Sequence, residues 1–202
     1  MKTKIFAIIL IPIIIFIGYR LIYGIKSNID LTESIKKSEA NVVEKLKQIR
    51  EIEKAYFAGN NEYVGNWDSL LVYLKEGKIY QTSKREIIEP REKNDPLFYT
   101  NTDSVRIEYD TLAVFDVMEK LFPKDKYPDF DPDKIMYIPE TEDEKFEIFA
   151  GTVMKGGVTV DVVEVVDKFP LDKTRNDENQ SRTRKFLRFG SRVDVTVTGN
   201  WE

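Results

Sequence analysis

Asp129-Phe130-Asp131-Pro132-Asp133 puts carboxylates at positions 1, 3 and 5 of a calcium-loop count, and Glu140 falls at position 12. Hard oxygen ligands at that spacing suit Ca²⁺, although Lys134 stands where the sharp turn of such a loop takes glycine. Asp129, Asp131, Asp133 and Glu140 are therefore the candidate metal ligands, weighed against the plainer reading of a solvated acidic loop. No other cofactor is expected.

The chain contains neither cysteine nor histidine. Disulfides, thiol chemistry, Ser-His-Asp catalysis and most zinc or non-haem iron sites are thereby removed. Neither a Gly-x-Ser-x-Gly elbow nor a phosphate-cradling glycine loop is present. The 35 acids leave one catalytic arrangement open, a carboxylate pair for hydrolysis. Glu140, Glu142, Asp143 and Glu144 form a charge run of the kind that normally faces solvent. A net charge of −4 provides no field for nucleic acid. The one basic run, Arg182-Thr183-Arg184-Lys185 with Arg188 and Arg192, reads as a solvated strand face.

The elements that must position these groups begin with an apolar segment. Residues 5–25 are almost continuously hydrophobic, about 21 residues or roughly 30 Å of helix, the thickness of a bilayer core. Tyr19 and Tyr23 suit the interface, and Arg20 can snorkel. Ile22-Tyr23-Gly24 lacks the small residues of a signal-peptidase site, so an uncleaved anchor is expected. The expected organisation is a cytoplasmic tail (1–4), a transmembrane anchor (5–25), a helical stalk (26–41) and an α+β domain (42–202) outside the cytoplasm.

Leu31, Ile35, Val42, Leu46, Ile49, Ile52 and Tyr56 recur at helical spacing. The alternate heptad positions, Ser38 and Lys45, are polar, which argues against a sustained coiled coil. Gly59-Asn60 reads as a helix stop, and Asn66 as the cap of a second helix over 67–76 ended by Gly77. Tyr56, Phe57, Tyr63 and Trp67 would fill the corner between the two. Strands are expected at 78–89, around Val105-Ile107-Tyr109, and at 135–138, 146–154, 158–166, 186–189 and 193–197, with a Gly156-Gly157 hairpin turn. Between strands, Pro90 to Pro96 reads as a polar loop, 111–122 as a helix and Asp172–Thr183 as a mobile loop. Val42 to Tyr56 should lie across the C-terminal antiparallel sheet, leaving Leu31 and Ile35 open to a partner's helix.

A membrane helix running into an amphipathic helix, the residues Leu46, Ile49, Arg50, Glu53, Tyr56, Tyr63 and Leu70, and a C-terminal sheet resemble the type IV pilin and type II secretion pseudopilin plan. The whole chain, with its closing Gly199-Asn200-Trp201-Glu202, also resembles a group of single-pass envelope proteins of Bacteroidota. The resemblance implies a pilin-like periplasmic domain on the bacterial inner membrane, with calcium bound in the β-region of related pseudopilins. Prepilins carry a Gly-Phe cleavage site and an early acid in the mature helix. Here Gly18 precedes Tyr19-Arg20, and no acid occurs before Asp30. What the resemblance implies is then a permanent anchor and a non-enzymatic assembly component, whose partners are the bilayer and other envelope proteins or further copies. The alternative is a periplasmic binding or sensory module for a peptide, glycan or ion.

Overall fold

The computed structural model describes the backbone of residues 2–89 and 104–202; for residues 2–9, 11 and 104 it describes backbone alone. The polar loop expected at Pro90 to Pro96 lies outside the described residues. Helix α1 (Lys2–Asn60) is unbroken despite Pro12. It ends where Asn61 takes a left-handed φ of 57° and its N–H returns to the Phe57 carbonyl at 2.8 Å. Asparagine tolerates that region because its short polar side chain can bond locally. The stop thus falls one residue beyond the Gly59-Asn60 pair.

Helix α2 (Trp67–Glu76) starts at Asn66, whose side chain accepts the Ser69 N–H at 2.8 Å. It stops at Gly77, where an added Cβ would lie 2.3 Å from the Tyr73 carbonyl oxygen. The two helices meet through aromatic packing, with Phe57 stacked on Tyr63 at 4.5 Å and Tyr56 edge-on to Tyr73 at 4.9 Å. Trp67 donates its indole N–H to the Phe146 carbonyl at 3.0 Å. Tyr56, Tyr63 and Trp67 are half-buried against the core, and Phe57 is half-buried beside Tyr63.

Strands β1 (Lys78–Glu89) and β2 (Ser104–Asp116) form an antiparallel ribbon with a bulge between Gln81 and Thr82, opposite Leu112. A five-residue helix α3 (Val117–Leu121) follows. The second sheet has the order β3-β4-β5, with β3 (Glu147–Lys155), β4 (Val158–Val166) and β5 (Arg188–Gly190) all antiparallel. Gly156 and Gly157, at φ 58° and 81°, make the tight turn that matches strand twist. The architecture is α+β, a long N-terminal helix with antiparallel sheets.

Val42, Leu46, Ile49 and Ile52 of α1 are buried with Leu70 and Leu74 of α2, Val163 and Val165 of β4, and Phe146, Leu187 and Phe189. Each such side chain contributes about 1.5–3 kcal/mol by leaving water. The amphipathic half of α1 thus shares one buried core with residues of the C-terminal sheet.

Three expected elements differ. Residues 111–116 continue β2 rather than forming a helix, because the bulge keeps them paired with β1; only 117–121 coil. Ile135 and Ile138, read as a strand, follow a 3₁₀ turn and both point inward; that three-residue spacing is helical, and Tyr137 alone bridges to Lys145. Residues 193–197 are not a strand. The Ser191 hydroxyl accepts both the Val193 and Asp194 N–H groups, which bends the chain, and Val193 and Val195 are exposed.

Glu53 is fully buried in the α1–α2 corner. One carboxyl oxygen accepts the Val64 N–H at 3.1 Å, and the other has no hydrogen-bond partner. Burial raises its pKa to about 7, opposed by the Val64 bond. The folded state thus holds a proton that the unfolded chain releases near 4.5, so this contribution to stability is full below that value. It is lost as pH rises through about 7, a change of roughly 3 kcal/mol at this displacement. Glu53→Gln should flatten the stability–pH curve between pH 5 and 8, measured by urea denaturation; a curve parallel to wild type would show that Glu53 does not control it.

Candidate functional site

The loop that follows α3 borders, with α1, an open groove of about 470 Å³. Asn41, Lys45 and Gln48 line it from the helix, and Tyr127, Phe130 and Asp131 from the loop. Phe122 anchors the loop by stacking on Phe130 at 4.0 Å, with Tyr127 edge-on at 5.4 Å. The volume suits a small ligand, and the lining combines aromatic faces with amide and charged groups.

Lys45 organises the site. Its ammonium donates to the carbonyls of Lys134 and Tyr137, each at 2.7 Å. Burial and the neighbouring Lys134 charge lower its pKa, and Asp131 partly offsets them. Two backbone carbonyls of the acidic loop are thus satisfied by a protein cation, at the polar position that interrupts the heptad pattern of α1. Spacing alone reads Lys45 as a gap in an apolar seam. Its role depends on a loop some ninety residues away.

The four candidate calcium ligands are not gathered. Asp131 caps the 3₁₀ turn through the Asp133 N–H at 3.0 Å and lies 3.4 Å from the Lys134 ammonium. Asp133 pairs with Lys75 at 2.6 Å, across to α2. Glu140 sits at a φ of 65° and accepts from Asn41 at 3.0 Å. Asp129 lines the groove and is exposed. Among the described residues no cluster of three or more acids is placed to hold a metal ion.

Nor is the basic run a free face. Arg188 and Arg192 both reach the buried carboxylate of Glu164, at 3.1 and 2.8 Å, while Arg192 also pairs with Glu147 and Arg188 with Asp177. Arg182 donates to the Gly199 carbonyl at 2.9 Å and Arg184 to the Thr174 hydroxyl at 3.2 Å. The insert at 172–183 is likewise pinned: Arg175 bonds Glu39 of α1 at 2.9 Å and the carbonyls of Thr183 and Lys185 at 2.7 and 2.9 Å. Sequence position could not show that this polar stretch had a partner on α1.

Of the partner-helix candidates, Leu31 is 56% exposed and Ile35 is half-buried. Both precede the buried stripe on the same helix. Among the described residues no helix is long and apolar enough to cross a membrane. The anchor expected at 5–25 begins among residues whose side chains lie outside that description.

Lys45→Met should destabilise the domain by about 1.5–3 kcal/mol, since two carbonyls lose a charged donor. Denaturant titration checks this; a change within error would mean water replaces the ammonium without cost. Millimolar Ca²⁺ should leave the Tm of wild type unchanged, and a rise would return the acidic loop to metal binding.

No family model matches the chain, and neither a curated protein nor a solved structure shows significant similarity to it.

Proposed function

We propose that the protein is a non-enzymatic, membrane-anchored structural or assembly component of a bacterial envelope complex, with its α+β domain in the periplasm. The observation that carries this reading is the change of surroundings along one unbroken helix. From Ile13 to Ile25, large apolar side chains are exposed on every side of α1, whereas Val42, Leu46, Ile49 and Ile52 are sealed in the domain. A helix apolar all round requires apolar surroundings. Joined to the hydrophobic residues from Ile5 onward, this segment has the length of a bilayer core. Leu31 and Ile35, between lipid and domain, are then left for a partner's helix. The pilin-like order of elements supports the same reading.

A second reading, a periplasmic module that binds a peptide or glycan, draws on the groove between α1 and the 127–139 loop. Its aromatic and amide lining is the kind that holds sugars and short peptides.

The anchor is tested by alkaline extraction and by protease added to spheroplasts. The chain should stay with the membrane and its domain should be digested; release by alkali, or a protected domain, would overturn the reading. The partner surface is tested by a photo-crosslinking residue at position 31. Ile35→Asp should abolish the crosslinked product while the domain stays folded. Ile49→Asp should unfold the domain, because it buries an unpaired charge. If Ile35→Asp preserves the crosslink, the stalk carries no partner and the assembly reading falls.

A further inference from the structure

The β1–β2 ribbon is amphipathic, and among the described residues nothing covers its apolar face. Register places Ser83, Arg85, Asp110, Glu108 and Arg106 on one face. That face is tied by ion pairs: Arg85 to Asp110 at 3.5 Å, and Arg106 to Glu108 and Glu89 at 3.0 and 3.2 Å. The opposite face carries Tyr80, Ile88, Val105, Ile107, Tyr109 and Val114, which are 46% to 67% exposed. Leu112, at the bulge, is exposed as well. A two-stranded ribbon is marginal in water unless an apolar face is packed against something. Solitary apolar residues on a surface need no explanation, but six in one stripe on a two-stranded ribbon do.

Charge and area select the occupant. The only charged side chains midway along the apolar face are Lys84 and Glu86, which pair with each other at 2.8 Å and flank the centre of β1. A second ribbon laid face to face with its strands reversed sets Lys84 over the copy's Glu86, and Glu86 over its Lys84. The same two-fold sets Tyr109 over Ile107 of the copy, and Ile88 and Val105 over its Thr82 and Thr111, beside Leu112. Strands laid in the same direction would instead place Lys84 over apolar Tyr109. Such self-complementarity is what an isologous contact requires. The axis brings Ile88, Val105, Ile107 and Tyr109 of each copy within the two ribbons, and covering them removes on the order of 800–1,000 Å², the size of a weak, reversible interface.

We infer that the apolar face of the β1–β2 ribbon is a homodimer interface, formed by two copies of this chain about a two-fold axis that crosses Lys84 with Glu86. The inference does not depend on the anchor, because the ribbon lies outside residues 5–35.

The experiment is sedimentation of the full chain in detergent, with thermal unfolding as a check on folding. Wild type should sediment as a dimer at micromolar concentration. Tyr109→Lys should give a folded monomer. Lys84→Glu and Glu86→Lys should each weaken association about tenfold or more, by setting like charges together. The double variant carrying both changes should recover the dimer, since the crossed pairs re-form with their signs exchanged. A monomeric wild type overturns the inference, as does a dimer insensitive to all four variants. A monomeric wild type whose Tyr109→Cys variant, labelled at that single cysteine with a polarity-sensitive dye, shifts its emission on adding phospholipid vesicles also overturns it, and gives the face to a lipid surface.

Discussion

Leu46, Ile49 and Ile52, three side chains on one stripe of α1, are buried in one core with residues of α2, α3, the loop at 135–138 and the second sheet. Everything else in the domain is arranged around that burial. The second sheet has only three strands, and β5 is three residues long, so it cannot enclose a core alone. α2 is equally insufficient, a ten-residue helix with Leu70 and Leu74 as its buried side chains. Each element becomes stable by sharing the same helical stripe.

Polar groups flanking that stripe convert a packing surface into a spine. Glu39 holds the 172–183 insert through Arg175, Asn41 holds Glu140, and Lys45 holds the loop carbonyls at 134 and 137. Further along, Arg50 pairs with Glu202 at 2.6 Å, and Glu53 fixes the Val64 N–H in the interhelix turn. Four loops or termini are thus strapped to one helix by five ties set two to five residues apart. Individually, ties of this kind are weak where exposed. Their value lies in register, because a loop bonded by its backbone carbonyls to a fixed ammonium can adopt few other paths.

The apolar half of this plan was legible in the sequence, and the polar half was not. The stripe from Val42 to Tyr56, the Asn66 cap and the Gly156-Gly157 turn follow from periodicity and local backbone preference, which act within a few residues. Lys45, Glu53 and Arg175 act across separations of about ninety, eleven and 136 residues, and nothing local distinguishes them from solvated charges. The acidic loop was misleading for the same reason. Its spacing fits a metal count, but its acids are drawn outward to Lys75 and Asn41 by elements that the count does not contain. The extension of β2 through 116 was hidden by a bulge, which shifts side-chain alternation by one residue and makes Leu112 and Phe115 mimic helical spacing.

Because α1 is continuous, forces on its two halves are not independent. The half from Val42 onward cannot rotate about the helix axis without withdrawing Ile49 and Ile52 from the core, and its three polar ties, from Lys45, Arg50 and Glu53, would break at the same time. Rotation of the N-terminal half is therefore transmitted through the stalk to the whole domain as a rigid body, unless the helix itself gives way. The weakest place for that is Gly18 and Gly24, where backbone entropy disfavours helix and no neighbouring atom lies within 4 Å of an added Cβ. From Ile25 to Ala58 the helix contains neither glycine nor proline. The helix between Ile25 and Ala58 is thus suited to hold orientation between an apolar N-terminal segment and a domain several of whose loops are bonded to it.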